Sequence, residues 1–256
     1  MKNHFLFLKL FFSIYCIGQN DTTFFNANWK VCNKNVAEYY RIIEPHGTNF
    51  LVKDYYKNNF IQMEAICSKE DTLIKNGKCT FFDEQGRITN QGSYCNNIEI
   101  GIWVIRDYYK NGKLLSLGYT KNNQWDSVST NYYESGNIYS TFTYNKDTLH
   151  GEAKFYREDG TIRTSSNYLN GELDGWNIQF NKKGGKSYEE EYKNGKSTKS
   201  KKLYFGNGQV QGEIIWTEWR INGYKIWYYE NGQIQSKVIF VNGKRKKIVR
   251  SGRVLE

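Results

Sequence analysis

The sequence predicts an all-β protein, an elongated antiparallel β-meander or solenoid of ~24-residue hairpin repeats laid out as one twisted sheet. Three observations carry this. The first is a period: Gly112, Gly136, Gly160, Gly184, Gly208 and Gly232 recur every 24 residues, with Tyr108, Tyr132, Tyr156, Phe180, Tyr204 and Tyr228 in step four residues ahead. A fixed period of this length marks a repeat array, in which each unit buries its surface only against its neighbours. The second is the phrase around each glycine, read as D-Y-Y-K-N-G-K at Asp107–Lys113 and W-Y-Y-E-N-G-Q at Trp227–Gln233. Asn-Gly between aromatic runs is a strong hairpin signal and predicts a type I′ turn, with both central residues at φ > 0. The third is composition: 17% of residues are aromatic, there is a single proline, and no stretch sustains a helical period. Aromatic and β-branched side chains suit a pleated surface.

In chain order, residues 1–18 read as a signal peptide. A short apolar run follows Lys2 and ends C-I-G before Gln19, with small residues at the −3 and −1 positions, so the mature chain is expected to begin at Gln19. Export would place the protein in the periplasm, on the outer membrane or outside the cell. Residues 19–53 are expected to form an atypical capping hairpin, because a terminal repeat lacks a neighbour on one side. Its strand Ala37–Ile43 leads to a type I turn at Glu44-Pro45-His46-Gly47. Residues 54–244 make the array. Phe50–Tyr56 and Phe60–Ile66 form its first hairpin, with Asn59 where later units carry glycine. Second turns are expected at Asn76-Gly77, Asn170-Gly171, Asn194-Gly195, Asn222-Gly223 and Asn242-Gly243.

Strand parity then predicts two faces. Tyr109 is expected opposite Leu114, Tyr133 opposite Ile138, Phe205 opposite Val210 and Tyr229 opposite Ile234. Two units read as one residue longer, with Phe81 opposite Ile88 and Phe155 opposite Ile162. This core face also takes Tyr94, Tyr144, Tyr168, Tyr192, Trp216 and Phe240 from the return strands. The other face would carry Tyr108, Tyr132, Tyr156, Phe180, Tyr204 and Tyr228, a linear amphipathic ladder suited to a partner helix, an extended segment or a glycan chain. The same ladder could serve only to stiffen the sheet.

The formal net charge is +10, and residues 245–256 read as a basic tail. Lys244, Arg245, Lys246, Lys247 and Arg250 could contact an anionic lipid or polysaccharide surface, or form a solvated end. Cys32, Cys67, Cys79 and Cys95 stay after removal of the leader. In an oxidising compartment they permit disulfides, with Cys67–Cys79 the first pair to consider and buried free thiols the alternative. No cysteine and histidine spacing suits a metal, and no phosphate loop is present, so neither metal nor cofactor is expected. His46 and His150 fall in turns. The run Glu189–Glu191 alternates between faces, so catalysis has no visible address and an enzyme is not expected.

The motif G-x-W-x-x-x-x-Y-Y-x-N-G-x-L at Gly101–Leu114 resembles the MORN-repeat variant family, including bacterial proteins labelled YwqK-type antitoxins. Leu149–Tyr156 (L-H-G-E-A-K-F-Y) and Asn170–Trp176 (N-G-E-L-D-G-W) are similar to the same pattern, and the resemblance covers roughly Asp54–Lys244. It implies a non-enzymatic binding platform or scaffold. Two departures stand out: units are irregular before Gly77, and Asn123–Ser129 lacks the glycine expected before its strand. The leading expectation is an exported platform in the cell envelope with a protein partner. A module gripping anionic lipid or polysaccharide by its tail, and an antitoxin-like partner-binding protein, are the alternatives. Nucleic acid is not expected.

Overall fold

The computed structural model describes residues 22–68, 73–217, 222–250 and 253–255; the leader and the expected start at Gln19 lie outside them. The strands are β1 (Thr23–Phe25), β2 (Tyr39–His46), β3 (Asn49–Tyr56), β4 (Ile61–Cys67), β5 (Lys75–Phe82), β6 (Ile88–Cys95) and β7 (Ile98–Tyr108). There follow β8 (Leu114–Lys121), β9 (Gln124–Trp125), β10 (Ser127–Tyr132), β11 (Ile138–Asn145), β12 (Thr148–Tyr156), β13 (Ile162–Leu169), β14 (Glu172–Leu173) and β15 (Gly175–Phe180). The last are β16 (Lys186–Lys193), β17 (Lys196–Tyr204), β18 (Val210–Thr217), β19 (Asn222–Tyr228), β20 (Ile234–Val241), β21 (Lys244–Arg250) and β22 (Arg253–Leu255). All belong to a single antiparallel sheet of hairpins, the meander that the period predicts.

The hairpin turns differ from expectation at both ends. At Asn111-Gly112 only the glycine has positive φ, +86°. The Gly112 N–H donates to the Tyr109 carbonyl and the Tyr109 N–H to the Lys113 carbonyl, at 2.9 and 2.8 Å. This is a type I turn closed by a glycine bulge rather than type I′. The same pair of bonds recurs at Tyr133/Gly136, Arg157/Gly160, Asn181/Gly184, Phe205/Gly208 and Tyr229/Gly232, and at Tyr56/Asn59 with Asn59 at +69°. Type I′ turns occupy the opposite ends of the strands, at Asn170-Gly171, Asn194-Gly195 and Asn242-Gly243, where both residues have positive φ. Asn76-Gly77 and Asn222-Gly223 are not turns but lie in β5 and β19. The first hairpin turns on Gly47 (φ +63°) with Pro45 in β2 opposite Phe50.

The bulged turn consumes one residue more than a two-residue loop, so the expected register is corrected by one. Tyr108 pairs with Leu114, Tyr132 with Ile138, Tyr204 with Val210 and Tyr228 with Ile234. Phe82 pairs with Ile88 and Tyr156 with Ile162, so no unit is longer at the turn. The aromatic series therefore sits against the aliphatic residues, not behind them. A second bulge breaks outgoing strands at Gly77, Gly101, Gly151 and Gly175, all with positive φ, whereas β19 pairs with β18 without a shift. Where the glycine is missing the backbone keeps its shape: Ser127 and Lys199 take φ of +71° and +67°.

An apolar cluster lies near the N-terminal end, where Val52, Met63, Ala65, Cys67, Cys79 and Trp103 are buried together. Return-strand glycines let indoles lie flat on the backbone. A Cβ on Gly92 would stand 2.3 Å from Trp103, and one on Gly212 2.5 Å from Trp227. The four cysteines are free thiols, and burial pushes Cys79 up to about 12. Lys244–Arg250 is not a tail but β21, hydrogen-bonded to β20 and followed by β22.

Candidate functional site

As far as Phe180, the residue that opens each bulged turn ties that turn to the next. The Tyr56 hydroxyl donates to the Phe82 carbonyl at 2.8 Å, Tyr109 to Tyr132 at 2.7 Å, and Tyr133 to Tyr156 at 2.8 Å. In the next unit Arg157 replaces tyrosine, and its guanidinium donates to the Phe180 carbonyl. Where Asp83 holds this position, Arg87 bonds the Asp83 carboxylate at 2.6 Å and reaches the Tyr109 carbonyl at 3.4 Å. One edge of the sheet is thus clamped turn to turn from Tyr56 to Phe180. The ladder residues supply the accepting backbone, so part of their periodicity is structural.

Their own side chains fall into three sets, all half-buried. Tyr108 donates inward to the Ile88 carbonyl at 2.7 Å. Tyr204 and Tyr228 donate to the carboxylates of Glu189 and Glu213, each at 2.7 Å. Burial and that carboxylate bond push the Tyr228 hydroxyl up to about 12, and Tyr204 rises for the same reasons. The hydroxyls of Tyr132 and Tyr156 bond nothing among the described residues, and Phe180 has none to offer. Only the middle of the ladder is free to meet a partner through its polar atoms.

Glu189, 4% exposed, is the centre of the C-terminal network. It accepts from Lys186 at 2.7 Å and from Tyr204, and lies 3.4 Å from the Lys202 ammonium. Burial alone would raise its carboxyl, but the bonds from Lys186 and Tyr204 outweigh it and hold the group below its usual range.

A second surface was not anticipated. Strand β7 has 11 residues, and Ile98, Ile100 and Ile102 at alternate positions are 68%, 43% and 63% exposed. Ile102 lines a shallow concavity with Tyr119, Thr120, Lys121, Asp126 and Ser127. Trp125 and Val128 add further exposed apolar surface nearby in sequence. The signal was present in the alternation I-E-I-G-I at Ile98–Ile102 and in the 26-residue step from Gly86 to Gly112. Of the basic residues, Lys244, Arg245 and Lys246 project from β21, and for Lys247 and Arg250 only the backbone is described. Among the described residues no group of three or more His, Cys, Asp or Glu could hold a metal ion.

A comparison with curated protein sequences gives no match. Among solved structures the chain is similar to a TcdB2–TccC3 crystal structure, with 10% identity over 88% of this chain and 16% of that one and a TM-score of 0.25. It is similar to the Photorhabdus luminescens Tc holotoxin pore, with 10% identity over 91% of this chain and 14% of that one and a TM-score of 0.23. A porin-like protein from Bacteroides uniformis matches with 10% identity over 85% of this chain and 92% of that one, at a TM-score of 0.17. The chain spans only about a sixth of the toxin chains, and likenesses of this grade carry nothing about what it does. The MORN repeat variant family matches four segments, residues 104–122, 126–146, 149–170 and 221–242. Each holds strands and turns of the hairpin series described above, so the chain carries four repeats of the MORN variant type, which suggest a repeat-based binding module.

Proposed function

We propose that the protein is a non-enzymatic binding platform exported to the cell envelope, where the sheet presents its surface to a protein partner. The observation that supports this best is the strip Ile98, Ile100 and Ile102, three exposed isoleucines at alternate positions of one strand. Contiguous exposed apolar side chains cost solubility and are retained where another surface covers them. The nearby concavity at Ile102 gives the strip a pocket for one anchoring side chain. Contact through an anionic surface is the lesser reading, because Lys244–Arg250 is committed to strand β21.

The test is site-specific photocrosslinking from position 100 in envelope fractions, with position 182, in a turn of the same sheet, as the control. Capture of one discrete protein from position 100 and not from position 182 supports the platform reading. Ile98→Ser with Ile102→Ser should then reduce that capture about tenfold or more while strand content stays constant. Equal labelling from both positions, or material that still carries Met1–Gly18 and remains inside the cell, would overturn it.

A further inference from the structure

The C-terminal units carry a site of a different chemistry. Lys199, Lys201 and Lys225 line one shallow concavity together with Ile214 and Trp216. The register brings them there, since Lys201 pairs with Ile214 and Ile214 with Lys225 across three adjacent strands. Lys225 lies 5.8 Å from the Trp216 ring centre and 5.5 Å from that of Phe240. The three ammonium groups form no ion pair among the described residues. Glu190 stands opposite Lys201 on the neighbouring strand and supplies one counter-charge, while also accepting from the hydroxyls of Tyr188, Tyr192 and Ser197. Three ammonium groups against one carboxylate leave the concavity with a net positive charge, which is relieved when an anion enters.

Two further observations show that this concavity is built. Lys199 stands at the outgoing-strand bulge, with φ +67°, where other units place Gly77, Gly101, Gly151 and Gly175. A lysine there is strained where glycine would not be; Ser127 shares the angle with a short side chain, and strain kept under a long charged one points to use of the lysine. Behind it Ser200, 3% exposed, accepts from the Trp216 N–H at 3.3 Å and donates to the Trp216 carbonyl at 3.5 Å, which ties down the backbone that carries the indole. On the other side of Trp216 a second concavity is lined by Glu191, Lys193, Asn194, Lys196, Ser197 and Thr198.

We propose that these paired concavities bind an anionic polysaccharide. A sulfate or carboxylate of one sugar is held by Lys199, Lys201 and Lys225. The next residue of the chain crosses the indole edge into the second concavity. There Asn194, Ser197 and Glu191 offer the mixture of donors and acceptors that sugar hydroxyls require. This site is separate from the isoleucine strip, and its success or failure leaves the protein-docking reading untouched.

The experiment is calorimetric titration of the full chain at physiological salt with a heparin-derived hexasaccharide. Neutral maltohexaose and a twelve-nucleotide oligothymidylate are the comparison ligands. The hexasaccharide is expected to bind at least about tenfold more tightly than either. Lys199→Gly should weaken it about tenfold while leaving the melting temperature unchanged or raised, since glycine relieves the bulge. Lys225→Met should weaken it comparably, and Lys110→Ala, at a distant exposed turn, by less than about twofold. Ile98→Ser should leave the titration unchanged. Equal loss with Lys110→Ala, tighter oligothymidylate binding that is also lost in Lys199→Gly, or no hexasaccharide binding at all would each overturn the proposal.

Discussion

The two ends of this sheet obey one repeat and are held together differently. From β3 to β7 Val52, Met63, Ala65 and Trp103 are buried in one apolar cluster, with Asp54 buried beside them under a two-pronged bond from Arg41, and turn-to-turn clamps run along the edge as far as Phe180. From β16 onward the clamp positions hold Asn181, Phe205 and Tyr229, and no such bond forms among the described residues. The buried side chains there include Glu189 and Ser200, tied by ammonium and hydroxyl groups. A 24-residue period thus fixes where turns and bulges fall, while the means of stabilisation is chosen unit by unit. In an array whose units touch only their neighbours, the two halves should respond separately to damage.

The largest test of that separation is Trp103→Ala. Removing a fully buried indole from the apolar cluster should cost about 3–5 kcal/mol. Hydrogen exchange should report lost protection in β4–β8 and protection retained in β16–β20. Loss spread evenly over both ends would mean that the sheet unfolds as one cooperative unit, and the comparison would collapse. Gly160→Val is the next in size and probes the boundary between the halves. A Cβ at Gly160 meets nothing within 4 Å, so the cost is one of backbone alone, at φ +83°, and about 1–3 kcal/mol. Its effect should be confined to β12 and β13, with calorimetry showing a broadened rather than a shifted transition.

The period was legible because glycine at positive φ has few substitutes, so the turns had to repeat in the sequence. The register was not, and the reason is local. Asn111-Gly112 fits a type I′ turn and a bulged type I turn equally well, and the two differ by one residue. The positions before the glycines hold the distinguishing information. Asn111, Ser135, Asp159, Lys183, Asn207 and Asn231 share no tolerance for left-handed backbone, and Lys183 argues against φ > 0 there. The asparagines and aspartate before the turn glycine instead accept from the backbone two residues on, as Asn111 does from the Lys113 N–H and Asp159 from the Thr161 N–H. The isoleucine strip falls in the 26-residue step from Gly86 to Gly112, outside the 24-residue series, so the period does not report it. The bulge lysine at 199 has no sequence signature beyond the absence of glycine, and only its backbone angle marks it.

Acid should strike the C-terminal half. The Glu189 and Glu190 carboxyls are held below their usual values, chiefly by bonds from Lys186 and Tyr204 and from Ser197 and Tyr188, against the upward push of burial. A carboxyl depressed in the folded state contributes stability in full above its unfolded value of about 4.3 and loses it as the pH falls through the folded value. Exchange protection in β16–β18 should therefore decline below about pH 4. Glu189→Gln should abolish part of that decline and cost about 1–2 kcal/mol at neutral pH, an amount reduced by the partial exposure of Lys186 and Lys202. A decline that Glu189→Gln leaves unaltered would show that the network is not what the acid dismantles.

The smallest effect asks the same repeat position a question in each half. Tyr132 and Tyr156 belong to the clamped region, and their hydroxyls bond nothing among the described residues. Tyr204 and Tyr228, two and three units further on, each donate to a glutamate at 2.7 Å. Removing a hydroxyl bonded to a carboxylate leaves the acceptor short of a partner and should cost about 1–2 kcal/mol per site. Deleting an unbonded hydroxyl from a half-buried ring should stay within about 0.5 kcal/mol. Tyr204→Phe and Tyr228→Phe should therefore destabilise the C-terminal units, while Tyr132→Phe and Tyr156→Phe leave denaturant midpoints where they are. The ring is kept in all four variants, so packing is constant and only the hydroxyl is tested. If Tyr132→Phe with Tyr156→Phe is neutral for stability yet weakens capture of a partner, those two hydroxyls are the part of the ladder that meets it. If all four substitutions cost alike, the ladder is uniform, and the two halves of the sheet differ less than their buried residues imply.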